Sequence, residues 1–456
     1  MVKVTSRKPR PRLFGYATRY AWLVIASLNC IMVMYLNYNA RAMRTLLEYY
    51  ADQRAVILSG LAAEAARLGA PTFPMWGYSW LTMISTEQLV LCPIQLVLAL
   101  YSSFSLVRHI EVNSLIPEKY FPLLQWILAL AVPWYAFHAV RWPNSLSVSL
   151  IALSFVFLHR AFLDKKGGFG NVVVSGLSFG MALNFRSDYY LFPAAVAVCW
   201  VCFSNDKVWG AKKCTAWLSC IYGALLPWVV YTAVVSGSPS LTSTNSGHVL
   251  FISLGNYEHN VWGITPTDGD PVMRTLVEDE FGPQKSTLTG DADRFLKNEF
   301  LKRIASAPFE YCRKCKQNLY LMIVSGCYGG EFLGTSSELP FGEPTLKSEI
   351  DDIVNTSERP DFMRIFRVFV SLVSKYIGIF TVFLSFAFLP LTLTYALRTR
   401  HFFWMIIILA IVYQCALQTF AFHSTIYTGN SFLFHIANIS LGTAIASCAT
   451  RSRLGQ

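Results

Sequence analysis

Long apolar runs recur along the chain and are separated by short polar links. A run of about 20 residues crosses the roughly 30 Å hydrocarbon core of a bilayer as one helix. The runs are continuously apolar, which excludes the alternating pattern of a transmembrane β-barrel. The sequence therefore predicts an all-α polytopic membrane protein with about ten transmembrane helices. The predicted spans lie near residues 14–38, 82–106, 121–138, 145–162, 170–186, 189–204, 214–236, 374–396, 402–421 and 431–449.

The composition agrees with this prediction. Hydrophobic residues make up 54% of the 456 residues and charged residues 14%, whereas a soluble chain carries about 25% charged residues. The net charge of +11 is typical of basic cytoplasmic links that face anionic headgroups, so membrane lipids are predicted partners. No basic cluster is interleaved with stacking aromatic residues in a soluble segment, so nucleic acid is not expected as a partner.

The basic residues also orient the chain. The N-terminal segment MVKVTSRKPRPR carries five of them, and the positive-inside rule places it in the cytoplasm. The links that are then cytoplasmic contain more Lys and Arg than the short outer links, although the first outer loop is an arginine-rich exception. The sequence thus divides into an N-terminal transmembrane module (1–236) with a first outer loop (39–80), an extracytoplasmic segment of α or mixed structure (237–362), and C-terminal transmembrane helices (363–456).

The first outer loop contains the stretch ADQRAVILSGLAAEAARLG, from Ala51 to Gly69. Its apolar positions fall on one side of a helix, which predicts an amphipathic helix lying in the membrane interface. Asp52 stands at the start of this helix, where an acidic side chain also stabilises the first N–H groups. Trp76, Tyr78 and Trp80 follow at the position of an aromatic belt, just before the second span.

The order of these motifs resembles the first outer loop of the GT-C glycosyltransferases. The matching elements are a first span, Asp52-Gln-Arg-Ala, a Leu/Ala-rich helix, and Phe73-Pro74-Met75-Trp76-Gly77-Tyr78 at the opening of the second span. The chain is most similar to the bacterial branch related to protein O-mannosyltransferases and the aminoarabinose transferases of lipid A. Further matches follow in the family's order, at Gly176 to Arg186, Ser243 to Gly247, Leu254 to Asn256, Asp291 to Pro308 and His423 to Tyr427.

The resemblance implies transfer of a sugar from a polyprenyl-phosphate donor to a lipid, glycan or protein acceptor on the outer side of the membrane. In this reading Asp52 is the general base that activates the acceptor, with Glu48 and Glu64 as substitutes, and direct attack inverts the anomeric carbon. Arginines stabilise the departing lipid phosphate; the candidates are Arg186, Arg54 and Arg141. Side chains expected to contact substrate are Trp76, Tyr78, Asp188, Asn245, His248, Asn256, His423 and Tyr427.

Several of these residues have simpler explanations from the sequence alone. Arg186 fits a long side chain reaching the interface from a helix end, or a buried partner of Asp188. Turn chemistry accounts equally well for Asn245 and Asn256. An aromatic belt accounts for Trp76 and Tyr78.

Two positions depart from the family's pattern. Many relatives carry an acidic residue before the proline of the short loop that reads Arg141-Trp142-Pro143-Asn144 here, and an arginine near the position of Tyr427. Both changes affect the expected binding of the donor.

No Cys/His spacing matches a zinc site; some GT-C branches use a divalent ion, but this sequence does not itself indicate one.

Other functions share some of these features. A transporter or flippase for a lipid-linked sugar would show repeated halves and broken helices at the membrane centre, and neither is evident. An O-antigen ligase or polymerase also has a large outer loop, but lacks the first-loop motifs; a scaffold without activity would have no need of Asp52.

The resemblance places the protein in a bacterial inner membrane with the site facing the periplasm, or in the endoplasmic reticulum membrane of a eukaryote.

Overall fold

In a computed structural model of the chain, the described residues form helices and the turns and links between them. It describes residues 13–38, 72, 75–84, 88–139, 143–164, 167–236, 239–257, 259–283, 285–325, 355, 362–422 and 429–453. The helices of the first transmembrane part are α1 Leu13–Tyr38, α2 Gly77–Ile84, α3 Gln88–Val112, α4 Phe121–Ala129, α5 Val132–His138, α6 Pro143–Leu163, α7 Phe169–Phe185, α8 Phe192–Phe203 and α9 Lys207–Ser236. The later helices are α10 Ser246–Ile252, α11 Pro271–Phe281, α12 Gly290–Ser306, α13 Pro308–Ser325, α14 Phe362–Thr399, α15 Phe402–Phe420 and α16 Phe432–Arg453. Short 3₁₀ turns lie at Glu118–Tyr120, Ser187–Tyr189 and Ser253–Asn256.

The structure confirms an all-helical, polytopic membrane protein. Six of the described helices are long and apolar enough to cross a bilayer, and the bent pair α4–α5 is a seventh candidate. The other three predicted spans coincide with α1, α7 and α8, whose described apolar portions are shorter. Every predicted span therefore corresponds to a helix or a helix pair, while the total of ten crossings stays a prediction.

The bend between α4 and α5 measures 48° and has a sequence cause. Pro133 lies at the start of α5, and proline has no N–H with which to continue the hydrogen bonds of α4. All seven residues of α5 are buried. The backbone oxygen of His138, the last of them, accepts a hydrogen bond from Gln95 Nε2 at 3.0 Å. The bend therefore brings the end of α5 into the middle of the bundle.

Contacts between helix ends follow the predicted alternation of the spans. At the predicted cytoplasmic end, His109 Nε2 of α3 lies 2.7 Å from His159 Nδ1 of α6, and Lys213 Nζ of α9 donates to Ala161 O at 2.9 Å. At the predicted outer end, the first turn of α6 and the segment before α16 contact each other through Asn144 and Asn430. Ends predicted to share a side of the membrane thus meet in the fold.

The described part of the extracytoplasmic segment contains helices and no strand. Helices α10 to α12 bury a small apolar core of their own that also includes Phe422, just beyond the end of α15. Gly247 of α10 approaches α12 so closely that a Cβ there would lie 2.1 Å from the backbone oxygen of Asp293. Asp293 in turn accepts hydrogen bonds from Gly247 N and from Lys297 Nζ. The segment is therefore a packed unit that contacts the predicted outer end of the bundle.

Helix α13 joins this unit to the end of α15. The hydroxyl of Tyr311 donates to Phe420 O at 2.6 Å, and Asn318 Nδ2 donates to Gln418 O at 2.9 Å. Lys314 is fully buried, and its ammonium donates to Phe420 O at 2.9 Å and to Ala421 O. The last carbonyls of a helix have no partner within it and carry partial negative charge. Side chains of α13 supply those donors.

The first-loop motif is anchored on the end of α7. A Cβ on Gly77 would lie 2.6 Å from Asn184 O and 2.8 Å from Asn184 C, so only glycine fits this backbone approach. Trp76 Nε1 donates to Asn184 Oδ1 at 2.9 Å. Asn184 Nδ2 donates to the backbone oxygens of Gly180 and Ala224. One asparagine side chain thus connects the loop motif, α7 and α9.

We expect Lys314→Met to lower the melting temperature of the detergent-solubilised protein by several degrees, because the buried carbonyls at the end of α15 lose their donor. A buried polar group without its partner costs about 1–3 kcal/mol. Lys316→Met is the matched control, since Lys316 lies on the same helix and is exposed. Equal melting temperatures for the two variants would contradict the role of Lys314.

The same lysine predicts a dependence of stability on pH. Burial lowers the pKa of Lys314 from 10.5 to about 8. Between these values the unfolded chain binds a proton that the folded chain has released, so this residue's contribution to stability becomes more favourable as the pH rises from about 8 to 10.5. We expect the melting temperature of the wild type to rise relative to that of Lys314→Met over this range. A difference that is constant with pH would contradict the shifted pKa.

We expect Gly77→Ala to prevent normal packing of the first-loop motif, because the added methyl group meets backbone atoms of α7 that have no room to move. Thermal stability should fall strongly, by an amount typical of overpacked cores, about 1–3 kcal/mol or more. Gly223→Ala is the control, because a Cβ at Gly223 meets nothing within 4 Å and alanine favours a helix. A melting temperature for Gly77→Ala as high as that of the control would show that the loop is not held against Asn184.

Candidate functional site

Arg186 and Asp188 form an ion pair at the predicted outer end of α7. The helix ends because Arg186 adopts an extended backbone conformation, with φ −157° and ψ 127°, and a 3₁₀ turn at Ser187–Tyr189 leads to α8. Arg186 Nε donates to Asp188 Oδ2 at 2.6 Å. The two side chains are 21% and 16% exposed. The pair is therefore desolvated on most sides yet accessible to a ligand, which strengthens its electrostatic interactions.

Two further segments converge on Asp188. Asn430 Nδ2, from the residues before α16, donates to the same carboxylate oxygen at 3.2 Å. The hydroxyl of Tyr413, on α15, donates to the backbone oxygen of Asp188 at 2.8 Å. The hydroxyl of Tyr189 donates to the backbone oxygen of Asn430 at 3.1 Å. No described residue donates to the other carboxylate oxygen of Asp188, Oδ1.

Asn144 extends this network into the first turn of α6. Its Nδ2 donates to Asn430 Oδ1 at 3.3 Å, and its side chain is fully buried. Its own Oδ1 is buried with no hydrogen-bond partner among the described residues. Buried polar atoms in native proteins are nearly always paired with protein, water or ligand. This oxygen can therefore accept a further hydrogen bond beside the ion pair.

The first-loop motif reaches the same end of α7. Trp76 bonds to Asn184, which precedes Arg186 by two residues. Its indole also contacts the rings of Trp228 and Tyr231, at centroid distances of 6.0 and 5.4 Å. Tyr78 is fully buried, and its hydroxyl donates to Gln95 Oε1 at 2.8 Å. The structure therefore places Tyr78 in the core, behind the aromatic cluster that contains Trp76.

Thr72 connects the first loop with the extracytoplasmic segment. Its Oγ1 lies 2.6 Å from Thr244 Oγ1, and its backbone oxygen accepts from Thr244 N at 3.1 Å. Thr244 precedes α10 by two residues. The first loop therefore contacts the end of α7 through Trp76 and the extracytoplasmic segment through Thr72.

The predicted substrate residues of the extracytoplasmic segment are bonded within that segment. Asn245 Oδ1 accepts from Ser243 Oγ at 2.7 Å. His248 Nδ1 lies 2.9 Å from Thr287 Oγ1, and its Nε2 lies 3.1 Å from Asp268 Oδ1.

Asn256, the third predicted substrate residue of this segment, donates through Nδ2 to Asn318 Oδ1 at 3.1 Å. None of the hydrogen bonds described for Asn245, His248 and Asn256 connects them to Arg186 or Asp188. Their proposed contact with substrate stays a prediction.

Five predicted site residues lie outside the described residues. These are Asp52, Arg54, Arg141, His423 and Tyr427. In the sequence, Arg141 precedes Asn144 by three residues, and Tyr427 precedes Asn430 by three. The substitutes for the general base, Glu48 and Glu64, also lie outside them.

The sequence analysis did not single out Asn430, Tyr413 or Asn184. Asn184 and Asn430 are polar residues near the ends of apolar helices, and Tyr413 is a polar residue within one. Such residues often mark functional or structural polar contacts in membrane proteins. That signal was available in the sequence, but it does not indicate which helix ends meet. Asn144 was noted only for lacking a negative charge, whereas the structure connects it to the ion pair through Asn430.

The described residues contain no group of three or more His, Cys, Asp or Glu side chains arranged to hold a metal ion. At the ion pair the described carboxylate is that of Asp188, and its Oδ2 already accepts from Arg186 and Asn430. These residues alone do not form the oxygen-rich coordination that a divalent cation requires. We therefore assign no step to a metal.

Comparison with known proteins gave one similar structure. No protein-family model matches the chain, and no curated protein matches it. Among solved structures, the chain is similar to the archaeal oligosaccharyltransferase AglB from Archaeoglobus fulgidus, solved in complex with an inhibitory peptide and a dolichol-phosphate. The two are 13% identical with a TM-score of 0.47, over 97% of this chain and 51% of the other. The chain thus spans about half the length of that protein.

Proposed function

We propose that the protein is a GT-C type glycosyltransferase that moves a sugar from a polyprenyl-phosphate donor to an acceptor at the outer membrane face. The observation that carries this proposal is the Arg186–Asp188 pair, on which the end of α7, Tyr413 of α15, the first turn of α6 and the segment before α16 converge. The first-loop motif, which resembles that of the family, is anchored two residues before this pair. The proposed acceptor of the sugar is a glycolipid, a polysaccharide or a protein.

The cation of the pair supplies what the leaving group requires. As the glycosidic bond breaks, its electron pair goes to the phosphate oxygen, and negative charge on the lipid phosphate grows. A guanidinium fixed in advance stabilises that charge without reorganising during the reaction. Arg186 is the described candidate, and Arg54 and Arg141 are proposed to act with it.

The base of the reaction is proposed to be Asp52. Its carboxylate removes the proton of the acceptor hydroxyl or amine while the acceptor attacks the anomeric carbon opposite the phosphate, which inverts the configuration. Asp188 acts differently in this scheme, because its Oδ2 is occupied by Arg186 and Asn430. Its other oxygen is proposed to accept a hydroxyl of the donor sugar.

The remaining predicted residues are assigned to binding. Trp76 and Tyr78 are proposed to support the groove for the lipid or acceptor from the core side. Asn245, His248 and Asn256 are proposed to contact the acceptor from the extracytoplasmic segment, and His423 and Tyr427 from the segment between α15 and α16. The proposed location is a bacterial inner membrane, with the site facing the periplasm.

The first test is release of free polyprenyl phosphate from a panel of polyprenyl-phosphate sugars, with host membrane extract as the source of acceptor. We expect Asp52→Asn to reduce the rate of release by about 10²–10⁴-fold, the usual contribution of a general base. Asp279→Asn is the control, because Asp279 is an exposed carboxylate of α11. Equal release by wild type and Asp52→Asn would remove Asp52 from the mechanism and direct attention to Glu48 and Glu64.

The same assay tests the cation. We expect Arg186→Gln to lower kcat by about 10²–10³-fold, as when a charge-stabilising donor is removed, and Arg186→Lys to retain part of the activity through its charge. Arg274→Gln is the matched control at an exposed arginine of α11. If Arg186→Gln folds and releases polyprenyl phosphate at the wild-type rate, the phosphate is stabilised elsewhere. Donor binding by the wild type without any release would favour a transporter of lipid-linked sugars over a transferase.

A further inference from the structure

Asn430 lies at the centre of the polar network at the outer end of the bundle. Three of its polar groups have partners: Nδ2 donates to Asp188 Oδ2 at 3.2 Å, Oδ1 accepts from Asn144 Nδ2 at 3.3 Å, and the backbone oxygen accepts from the Tyr189 hydroxyl at 3.1 Å. The side chain is buried, with the residue 3% exposed. Asn430 therefore has a defined orientation in the absence of any ligand.

The backbone around Asn430 is fixed by packing as well. A Cβ on Gly429 would lie 2.8 Å from two ring carbons of Phe137, so the chain passes the face of this buried ring at a distance that only glycine allows. Phe137 belongs to α5, which the bend after α4 carries into the bundle. The position of Asn430 is thus set by α5 on one side and by the Tyr189 hydroxyl on the other.

The bond from Asn430 controls the carboxylate that holds Arg186. Both Asn430 Nδ2 and Arg186 Nε donate to the same oxygen of Asp188. An aspartate side chain with one donor can still rotate about its two side-chain torsions, whereas donors from two directions fix the oxygen. A fixed oxygen in turn gives Arg186 Nε a hydrogen-bond acceptor in a defined position, which lowers the rotamer entropy that binding would otherwise cost.

The amide is suited to this task because it is neutral and has both a donor and an acceptor. A carboxylate at position 430 would keep the shape but would face Asp188 with a like charge, and would offer Arg186 a second anion. The local potential would then be less favourable to a phosphate. Asparagine orients the pair without changing its charge.

We propose that Asn430 is a positioning residue, which orients the Arg186 guanidinium through Asp188 for the phosphate of the polyprenyl donor. This inference rests on the proposed function for its ligand. The orientation itself is a property of the protein without ligand, so the two parts can be tested separately.

The first measurement needs no donor. Phenylglyoxal modifies accessible arginines, and peptide mass spectrometry gives the labelling rate of Arg186 relative to that of the exposed Arg274. We expect Asn430→Ala to raise this ratio several-fold, because the carboxylate and guanidinium become mobile. Asn318→Ala is the matched control, since Asn318 is a buried asparagine of the same end of the bundle that bonds to α15 and not to Asp188. An unchanged ratio in Asn430→Ala, or an equal rise in Asn318→Ala, would overturn the inference.

The second measurement is the affinity for farnesyl phosphate, a short polyprenyl phosphate. We expect Asn430→Ala to weaken binding about tenfold, and the isosteric Asn430→Asp to weaken it further because it adds negative charge. The double variant Asp188→Asn/Asn430→Asp exchanges amide and carboxylate at constant total charge, and should bind more tightly than Asn430→Asp alone. If Asn430 served only to pack the helices, Asn430→Asp and the double variant would bind farnesyl phosphate with equal affinity.

The outcomes separate the two proposals. If the wild type binds farnesyl phosphate and Arg186→Gln does not, but Asn430→Ala and Asn430→Asp bind as the wild type does, the role of Asn430 is wrong and the proposed function stands. If the wild type and Arg186→Gln bind alike, the assignment of the donor phosphate to Arg186 fails. In that case the labelling ratio alone decides whether Asn430 orients the arginine.

Discussion

Buried helix ends need hydrogen-bond donors, and this constraint shapes both ends of the bundle. The last carbonyls of a helix have no partner within it, and inside a membrane protein water is not there to replace them. At the predicted outer end, Lys314 and Asn318 donate to the carbonyls that end α15. At the predicted cytoplasmic end, Lys213 donates to Ala161 O and Asp164 O near the end of α6. In each case a side chain of one helix donates to the last carbonyls of another helix. The same hydrogen bonds therefore satisfy the helix end and hold the two helices together.

The candidate site arises from the same constraint. The Tyr413 hydroxyl donates to the backbone oxygen of Asp188, and the Tyr189 hydroxyl donates to that of Asn430. These bonds fix the two turns that carry Asp188 and Asn430. The side chains of Asp188 and Asn430 then bond to each other, and Asp188 also pairs with Arg186. The ion pair is thus held by helices that are far apart in sequence, and its geometry depends on the whole outer end of the bundle. A site of this kind is rigid before a ligand arrives, which is the condition for electrostatic stabilisation of a developing phosphate charge.

The sequence predicted the helices better than their contacts. Each apolar run coincides with a helix or a helix pair, and six of these helices are long and apolar enough to cross a bilayer. Helix α7 ends at Phe185, one residue before the predicted end. The bend before Pro133 was missed, since the run over residues 121–138 remains apolar through it. The approach of Asn144 to Asn430 joins residues 286 positions apart, and nothing in hydropathy or periodicity indicates which helix ends will meet. Of the candidate site, Arg186 and Asp188 were predicted from the sequence, whereas Asn430, the amide that donates to Asp188, was not.

The directions of the hydrogen bonds explain why an amide, and not an acid, fits at Asn144. Asn144 donates to Asn430, Asn430 donates to Asp188, and Arg186 donates to the same carboxylate. In all three hydrogen bonds the donor lies on the side away from Asp188. An aspartate at position 144 would have no hydrogen to donate, and Asn430 would have to turn its amide group toward it. That rotation would withdraw the donor from Asp188 and present an oxygen to its carboxylate. The amide of Asn144 therefore suits the orientation in which Asn430 donates to Asp188, the carboxylate that pairs with Arg186 among the described residues.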